Sequence, residues 1–292
     1  VKKGKTTKTT IKNVAGGATY YYKVKAYAKA GKKAITSSEY SNVASVKTWK
    51  LTWSDEFNGT SLDLNSWKYE TGANGWGNEE FQDYTEGKNI KFENGCLVII
   101  PRMEYDLVAK KPIYCSSARI NTKGKREFTY GRMEIRAKAS KAKGTWSAGW
   151  MLGANNDTKT WPLCGEIDIL EHIGRLKKHL LFSLHSKNHN HTRKDGIQYT
   201  TNVTFDVDFS DDFHVYAMEW TKDYIEYFVD GKSYCRYNKA DDTDQSHDSW
   251  PFDKPFYLIL NTAVGGGLGG PVDDSNIPFE FIIDYVRVYQ KK

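Results

Sequence analysis

Past Lys50 the chain keeps no helical apolar period for as many as ten residues; what recurs is short period-two alternation between glycine-rich turns. Met133, Ile135 and Ala137 alternate with Arg132, Glu134, Arg136 and Lys138. Tyr224–Val229 and Lys232–Tyr237 flank Asp230-Gly231, a pair suited to a type I′ hairpin turn because both central residues need positive φ. Phe281–Tyr289 predicts a closing strand near the domain's first strand. One helical turn is expected at Ser61–Trp67, capped by a serine or an aspartate. So many short strands among the 242 residues after Lys50 predict an all-β fold, a two-sheet antiparallel β-jelly-roll sandwich.

One of those strands is chemically odd. Gly165-Glu166-Ile167-Asp168-Ile169-Leu170-Glu171 sets three acids among bulky apolar residues. Side chains alternate faces along a strand, so Glu166 and Asp168 share one face while Glu171 has the wrong parity. One extra residue after Asp168, a β-bulge, would turn all three acids to the same side, and bulges re-aim side chains beside catalytic sites. Three like charges on one face repel one another, which a purely structural strand has no reason to carry. Two blander readings compete: an exposed strand with its acids outward, and a Ca²⁺ loop. The β-branched residues disfavour the loop, which needs sharp Gly, Asn or Asp turns.

Charge divides the chain. Residues 1–50 hold twelve lysines against one acid, Glu39, whereas the rest carries 30 basic and 35 acidic side chains. Nucleic acid is excluded as a partner because the basic residues lie apart from the aromatic-rich region that could stack bases. The lysines read as a solubilising surface, with wall polymers or another anionic surface as the alternative. Without a run of 18 apolar residues, no membrane span is expected. The first residues look like the middle of a module, so the chain is expected to be a piece of a longer multidomain protein.

Residues 1–48 are expected to form that module and 49–292 the main domain. Lys8–Val14, Thr19–Ala28 and Ser41–Lys47 alternate as strands. Val14-Ala-Gly-Gly-Ala-Thr-Tyr20, with Tyr22, Val24 and Ala26 on one face, resembles the E–F corner and F strand of a fibronectin type III domain. Tyr20 would be its tyrosine-corner residue, in a partial immunoglobulin-like β module. Cys96 and Cys115 bracket an expected hairpin and are the first candidates for a disulfide; four buried thiols, with Cys164 and Cys235, are the alternative.

Two carboxyl groups flanking a glycosidic bond are the usual machinery for its hydrolysis. One must be an ionised nucleophile and the other a protonated acid. An aspartate between them can separate their pKa values, by hydrogen-bonding the nucleophile and by discouraging ionisation of the acid. Electrostatics gives that direction but not which glutamate plays which part.

Trp161-Pro-Leu-Cys-Gly-Glu-Ile-Asp-Ile-Leu-Glu-His172 closely resembles the signature of glycoside hydrolase family 16, in its bulged E-x-D-x-x-E form. Trp53-Ser-Asp-Glu-Phe-Asn-Gly59, Gly75-Trp-Gly-Asn-Glu-Glu-Phe-Gln82, Ser117-Ala-Arg119, Gly144-Thr-Trp-Ser-Ala-Gly-Trp150, Pro255–Gly265 and Ile283–Tyr289 are similar to the bacterial laminarinase branch. The resemblance implies Glu166 as nucleophile, Asp168 as helper and Glu171 as acid/base on a concave substrate cleft. It implies endo-attack on β-1,3-glucan, or also mixed β-1,3/1,4-glucan, with no cofactor in the chemistry. A galactan hydrolase of agarase or carrageenase type and a β-glucan-binding protein without catalysis are the alternatives.

The same resemblance marks Trp146 and Trp150, four apart on one strand face, and Trp161 as platforms on which sugar rings stack. Asn78, Arg119 and His185 are marked as polar contacts to the sugar. Leu268 stands where laminarinases often carry tryptophan, which touches one stacking position. A structural Ca²⁺ is implied at Glu56, Gly95 and Asp284. A secreted or bacterial cell-surface monomer is expected.

Overall fold

The computed structural model describes residues 11–25, 27–30, 33–36, 39–195, 198–272 and 279–291. They fall into two compact units, residues 1–52 with 289–292 and residues 53–288. In the first unit Thr19–Tyr22 pairs antiparallel with Ala44–Lys47, and Tyr27–Ala30 forms a hairpin with Lys33–Thr36. The expected strand Thr19–Ala28 therefore breaks after Tyr22, and the third shortens to Ala44–Lys47. Of Lys8–Val14, residues 8–10 lie outside the described residues and 11–14 form no strand. The Tyr20 hydroxyl accepts the Ala15 N–H at 2.7 Å.

The larger unit is built on two eight-stranded sheets. The main path of the first runs Tyr199–Thr204, His179–His185, Glu166–Ile173, Thr145–Gly153, Phe256–Val264, Arg119–Asn121, Lys68–Glu70. The second runs Lys232–Asn238, Tyr224–Val229, His214–Trp220, Gly131–Lys138, Phe281–Gln290, Cys96–Ile99, Ile90–Glu93. Asp230 and Gly231 take φ of 49° and 77°, as the hairpin turn requires. The turn before Trp67 closes with its N–H on the Asp63 carbonyl at 2.9 Å, while the Asp63 carboxylate caps Asn65 N–H.

Period-two alternation supplies the core. Met133, Ile135 and Ala137 from the second sheet join Met151, Ile167, Phe182 and Leu258 from the first in one buried cluster. Each such large side chain contributes roughly 1.5–3 kcal/mol relative to exposure. The other face of Gly131–Lys138 carries ion pairs: Arg132 reaches Glu134 at 2.7 Å and Glu219 at 3.2 Å.

The disulfide expectation fails here, and the side chains expected at the Ca²⁺ site have other partners. Both oxygens of Glu56 accept from Arg287, at 2.9 and 2.7 Å, and Asp284 holds Arg136. A Ca²⁺ ion takes six to eight oxygens, backbone carbonyls among them; with these two carboxylates engaged by guanidinium groups, the backbone, Gly95 included, would have to supply most of them. Cys96 and Cys115 do not pair: all four cysteines are free thiols. Burial pushes Cys115 up to about 12 and Cys164 up to about 11, so both stay protonated.

Candidate active site

Glu166–Ile173 lies between Thr145–Gly153 and His179–His185, and its register slips against both. On one side Asp168 pairs with Trp150 and Leu170 with Gly149, leaving Ile169 without an opposite residue. On the other, Asp168 pairs with Ser183 and Glu171 with Leu181. Ile169 and Leu170 are consecutive, yet both are fully buried in the main core. Two successive inward side chains are what one inserted residue produces, and beyond them Glu171 returns to the face of Glu166 and Asp168. The strand starts from Gly165 at φ +76°, where an added Cβ would come within 2.9 Å of Pro251 and 3.0 Å of Phe256.

The acids sit close together in a poorly solvated place. Asp168 is 3% exposed and Glu171 6%. His185, opposite Glu166, brings Nε2 to 3.7 Å from Glu166 Oε1 and 3.4 Å from Asp168 Oδ2. Burial, then Asp168, pushes Glu166 up to about 8, against the pull of His185. Burial, then Glu171, drives Asp168 well above the usual range, while a hydrogen bond with Glu166 pulls it down. Glu171 is raised by burial, opposed by His185, Ser183 and Trp146. Three carboxyls in this setting cannot all ionise near neutrality, so the trio shares protons.

Glu171 is held from its neighbour strand. Ser183 Oγ donates to Glu171 Oε2 at 3.1 Å and accepts from Thr200 at 3.2 Å. The Ser183 carbonyl accepts Tyr227 O–H from the second sheet at 2.9 Å. Ser183 shares the face of His185 two residues on, so parity alone could have singled it out.

Aromatic residues flank the acids on both sides. Trp146 and Trp150 lie on one strand face and are partly exposed. Trp161 packs on the small cluster Leu152, Cys164, Tyr257 and Ile259, with ring centroids 6.0 Å from His185 and 5.2 Å from His191. Beyond Trp150, the Arg119 guanidinium is sandwiched between Trp150 at 4.8 Å and Trp76 at 4.7 Å, and its Nε donates to Glu70 at 2.5 Å. Asn261 orients this wall by accepting Trp150 Nε1–H at 2.7 Å and donating to the Tyr84 hydroxyl at 2.9 Å.

Asn78 sits farther along the wall and donates to Glu80 at 3.2 Å. Gly266–Gly269 forms one helical turn there. A Cβ on Gly266 would lie 2.6 Å from the Asn78 carbonyl, so only glycine lets the chains approach. The structure thus gathers Glu166, Asp168, Glu171, His185, Trp146, Trp150, Trp161 and Arg119 on or beside one sheet face, with Asn78 on the adjoining wall. Trp76, Glu70, Glu80, Tyr84, Asn261, Ser183 and His191 were not singled out beforehand. Trp76 lay within a motif already quoted, whereas the Glu70–Arg119 contact joins residues 49 apart and leaves no local signal.

The chain is 42% identical over 255 residues to a beta-glucanase of Rhodothermus marinus, covering 83% of this chain and 85% of that one. It is similar in structure to a laminarinase from Flavobacterium sp. UMI-01, with TM-score 0.75 and 43% identity over 82% of this chain and all of that one. The catalytic domain of an endo-1,3-beta-glucanase from Thermotoga petrophila gives TM-score 0.76 and 40% identity over 85% of this chain and 100% of that one. The model of glycosyl hydrolases family 16 matches residues 77–287, a span that holds the bulged strand, both sheets' central strands and the aromatic residues of the walls other than Trp76. A jelly roll carrying its acids on such a strand, with these relatives, belongs to glycosyl hydrolase family 16.

Proposed function

We propose that this chain is a retaining endo-hydrolase of β-1,3-glucan, with Glu166 as nucleophile, Glu171 as general acid/base and Asp168 as the group that keeps their protons in order. The observation that carries this is the extra residue after Asp168, which sets half-buried Glu166 and buried Asp168 and Glu171 on one face between aromatic walls. The similarity to laminarinases and beta-glucanases supports the substrate class.

This reading implies a two-step reaction. A proton held between Asp168 and Glu166 leaves Glu166 able to attack the anomeric carbon while Glu171 protonates the departing oxygen. The bond to the leaving sugar breaks, and a covalent glycosyl ester forms with inverted configuration. Glu171, now ionised, takes a proton from water as that water attacks the same carbon. The ester breaks, Glu166 is regenerated, and the product has the starting configuration. Ser183 and Trp146 favour the ionised form that Glu171 needs for this second step. Trp146, Trp150 and Trp161 would stack on sugar faces, and Arg119, Asn78 and His185 would contact hydroxyls.

We read the first unit as a fibronectin type III-like module on the strength of the Tyr20–Ala15 contact. A polymeric substrate that cannot enter cells supports action outside the cell or at its surface. The test is a product profile on laminarin, lichenan, agarose and carrageenan, with proton NMR of the first anomer released. Laminarin should yield oligosaccharides of several lengths, released as the β anomer. Cleavage of agarose or carrageenan alone, or α anomer first, would overturn the reading.

A further inference from the structure

We infer that Glu166, Asp168 and His185 form a binding site for a four-coordinate divalent transition cation such as Zn²⁺, and that the bound ion reversibly blocks the active site. Glu166 Oε1, Asp168 Oδ2 and His185 Nε2 all lie within 4.8 Å of one another, the one such set of three among the described residues. Zn²⁺ with bonds of about 2.0–2.1 Å in a tetrahedron needs ligand atoms roughly 3.3–3.4 Å apart. The observed separations from His185 Nε2 are 3.4 Å to Asp168 and 3.7 Å to Glu166. Both exceed an ordinary N–H···O hydrogen bond, so the imidazole stands between two carboxylates at ligand spacing.

A second observation points the same way. Asp168 is 97% buried by its 3% exposure, and its Oδ2, turned toward His185, receives no hydrogen bond. A buried carboxylate oxygen without a donor is costly, and a cation would satisfy it. Two oxygens and one imidazole nitrogen suit Zn²⁺ and its neighbours in the transition series. They are too few for Ca²⁺, and Mg²⁺ prefers oxygen ligands and keeps its waters. The set leaves a fourth position for water, as open zinc sites do. An ion held there occupies the lone pair with which Glu166 would attack. Binding stands apart from the proposed reaction; only the inhibition rests on it.

The experiment is calorimetric titration of the whole chain with ZnCl₂, followed by laminarin assays with Zn²⁺ before and after EDTA. One saturable site is expected, with activity lost as it fills and restored by the chelator. His185→Ala should weaken Zn²⁺ at least as much as the roughly 10- to 100-fold that losing an outer-shell partner costs. His189→Ala and His214→Ala, which alter histidine–carboxylate pairs elsewhere, should leave it unchanged. Co²⁺ keeps the test decisive should His185→Ala fail to fold: four-coordinate visible bands without thiolate charge transfer should appear, and a laminari-oligosaccharide should displace them. No saturable binding, binding retained in His185→Ala, or a thiolate band would overturn the site. Zn²⁺ binding in a chain that does not cleave laminarin would instead overturn the proposed function and leave the site standing.

Discussion

Acids on the outer faces of the two sheets meet opposite electrostatic fates. On the second sheet Glu134 and Glu219 share Arg132, Asp284 holds Arg136, and Glu56 receives a two-pronged hydrogen bond from Arg287 that keeps its carboxyl below the usual range. On the first sheet Glu166, Asp168 and Glu171 meet one another, with His185 as their basic neighbour, and burial pushes all three up. The side chains are chemically alike, but Glu166–Ile173 is bulged against both neighbours whereas Gly131–Lys138 pairs with His214–Trp220 in unbroken register. What differs is the partner that the neighbouring strand supplies, and that decides whether a carboxylate is a surface ion or a reagent.

Deleting the acids is the harshest way to break the contrast. Glu171→Ala and Glu166→Ala should each lower laminarin cleavage by roughly 10²–10⁴-fold or more, with circular dichroism unchanged. On an activated aryl glycoside with azide, Glu171→Ala should give the β-glycosyl azide, because the ester still forms and is opened once. Glu166→Ala should give the α azide by a single displacement. The reverse pairing would exchange the two roles.

Stability against pH should run in opposite directions on the two faces. Glu166 titrates near 8 in the folded chain against 4.5 ordinarily, so the folded state binds that proton more tightly. Its contribution is complete below about pH 4.5 and is lost as the pH rises through about 8. Between pH 5 and 8.5 the wild type should lose on the order of a few kcal/mol relative to Glu166→Gln in urea denaturation. Parallel curves would contradict the raised carboxyl.

Ser183→Ala removes a donor that favours ionised Glu171, so the basic limb of the kcat/KM profile should move to higher pH, by about one unit or less. Ser183→Thr, which keeps a hydroxyl, should leave the limb in place; a fall in rate without a moved limb would make Ser183 merely structural. The smallest effect belongs to the second sheet. Glu56→Gln should cost no more than ~1 kcal/mol, because both partners are about one-third exposed. Its carboxyl is lowered, so the loss should be seen at neutral pH and vanish as the pH falls through that carboxyl's range. Sensitivity equal to that of Glu166 would erase the distinction between the faces.

What could be read beforehand was whatever one strand encodes within itself. Period two gave the inward set Met133, Ile135 and Ala137, and parity showed that Glu171 needs an inserted residue to join Glu166 and Asp168. Asp230-Gly231 carried its turn in its own φ preferences. What stayed hidden depends on which strands lie side by side. The pairing of Arg136 with Asp284 and of Arg287 with Glu56 joins residues 148 and 231 apart in sequence and leaves no local signal. The Cys96–Cys115 pairing assumed one hairpin, but Cys96–Ile99 pairs with Ile90–Glu93 and Phe281–Gln290, while Cys115 pairs with Met103. Asn261 stands in the apolar run Phe256–Val264 and takes its side-chain partners, Trp150 and Tyr84, from other strands.

The most direct test of the bulged trio as a reaction centre is to trap the sugar on the chain. An activated 2-deoxy-2-fluoro-laminaribioside should form the ester and hydrolyse it slowly, and peptide mass spectrometry then locates the added disaccharide. The account expects one disaccharide per chain, on Glu166. Label on Asp168 or Glu171, or turnover of the reagent with no ester formed, would contradict it.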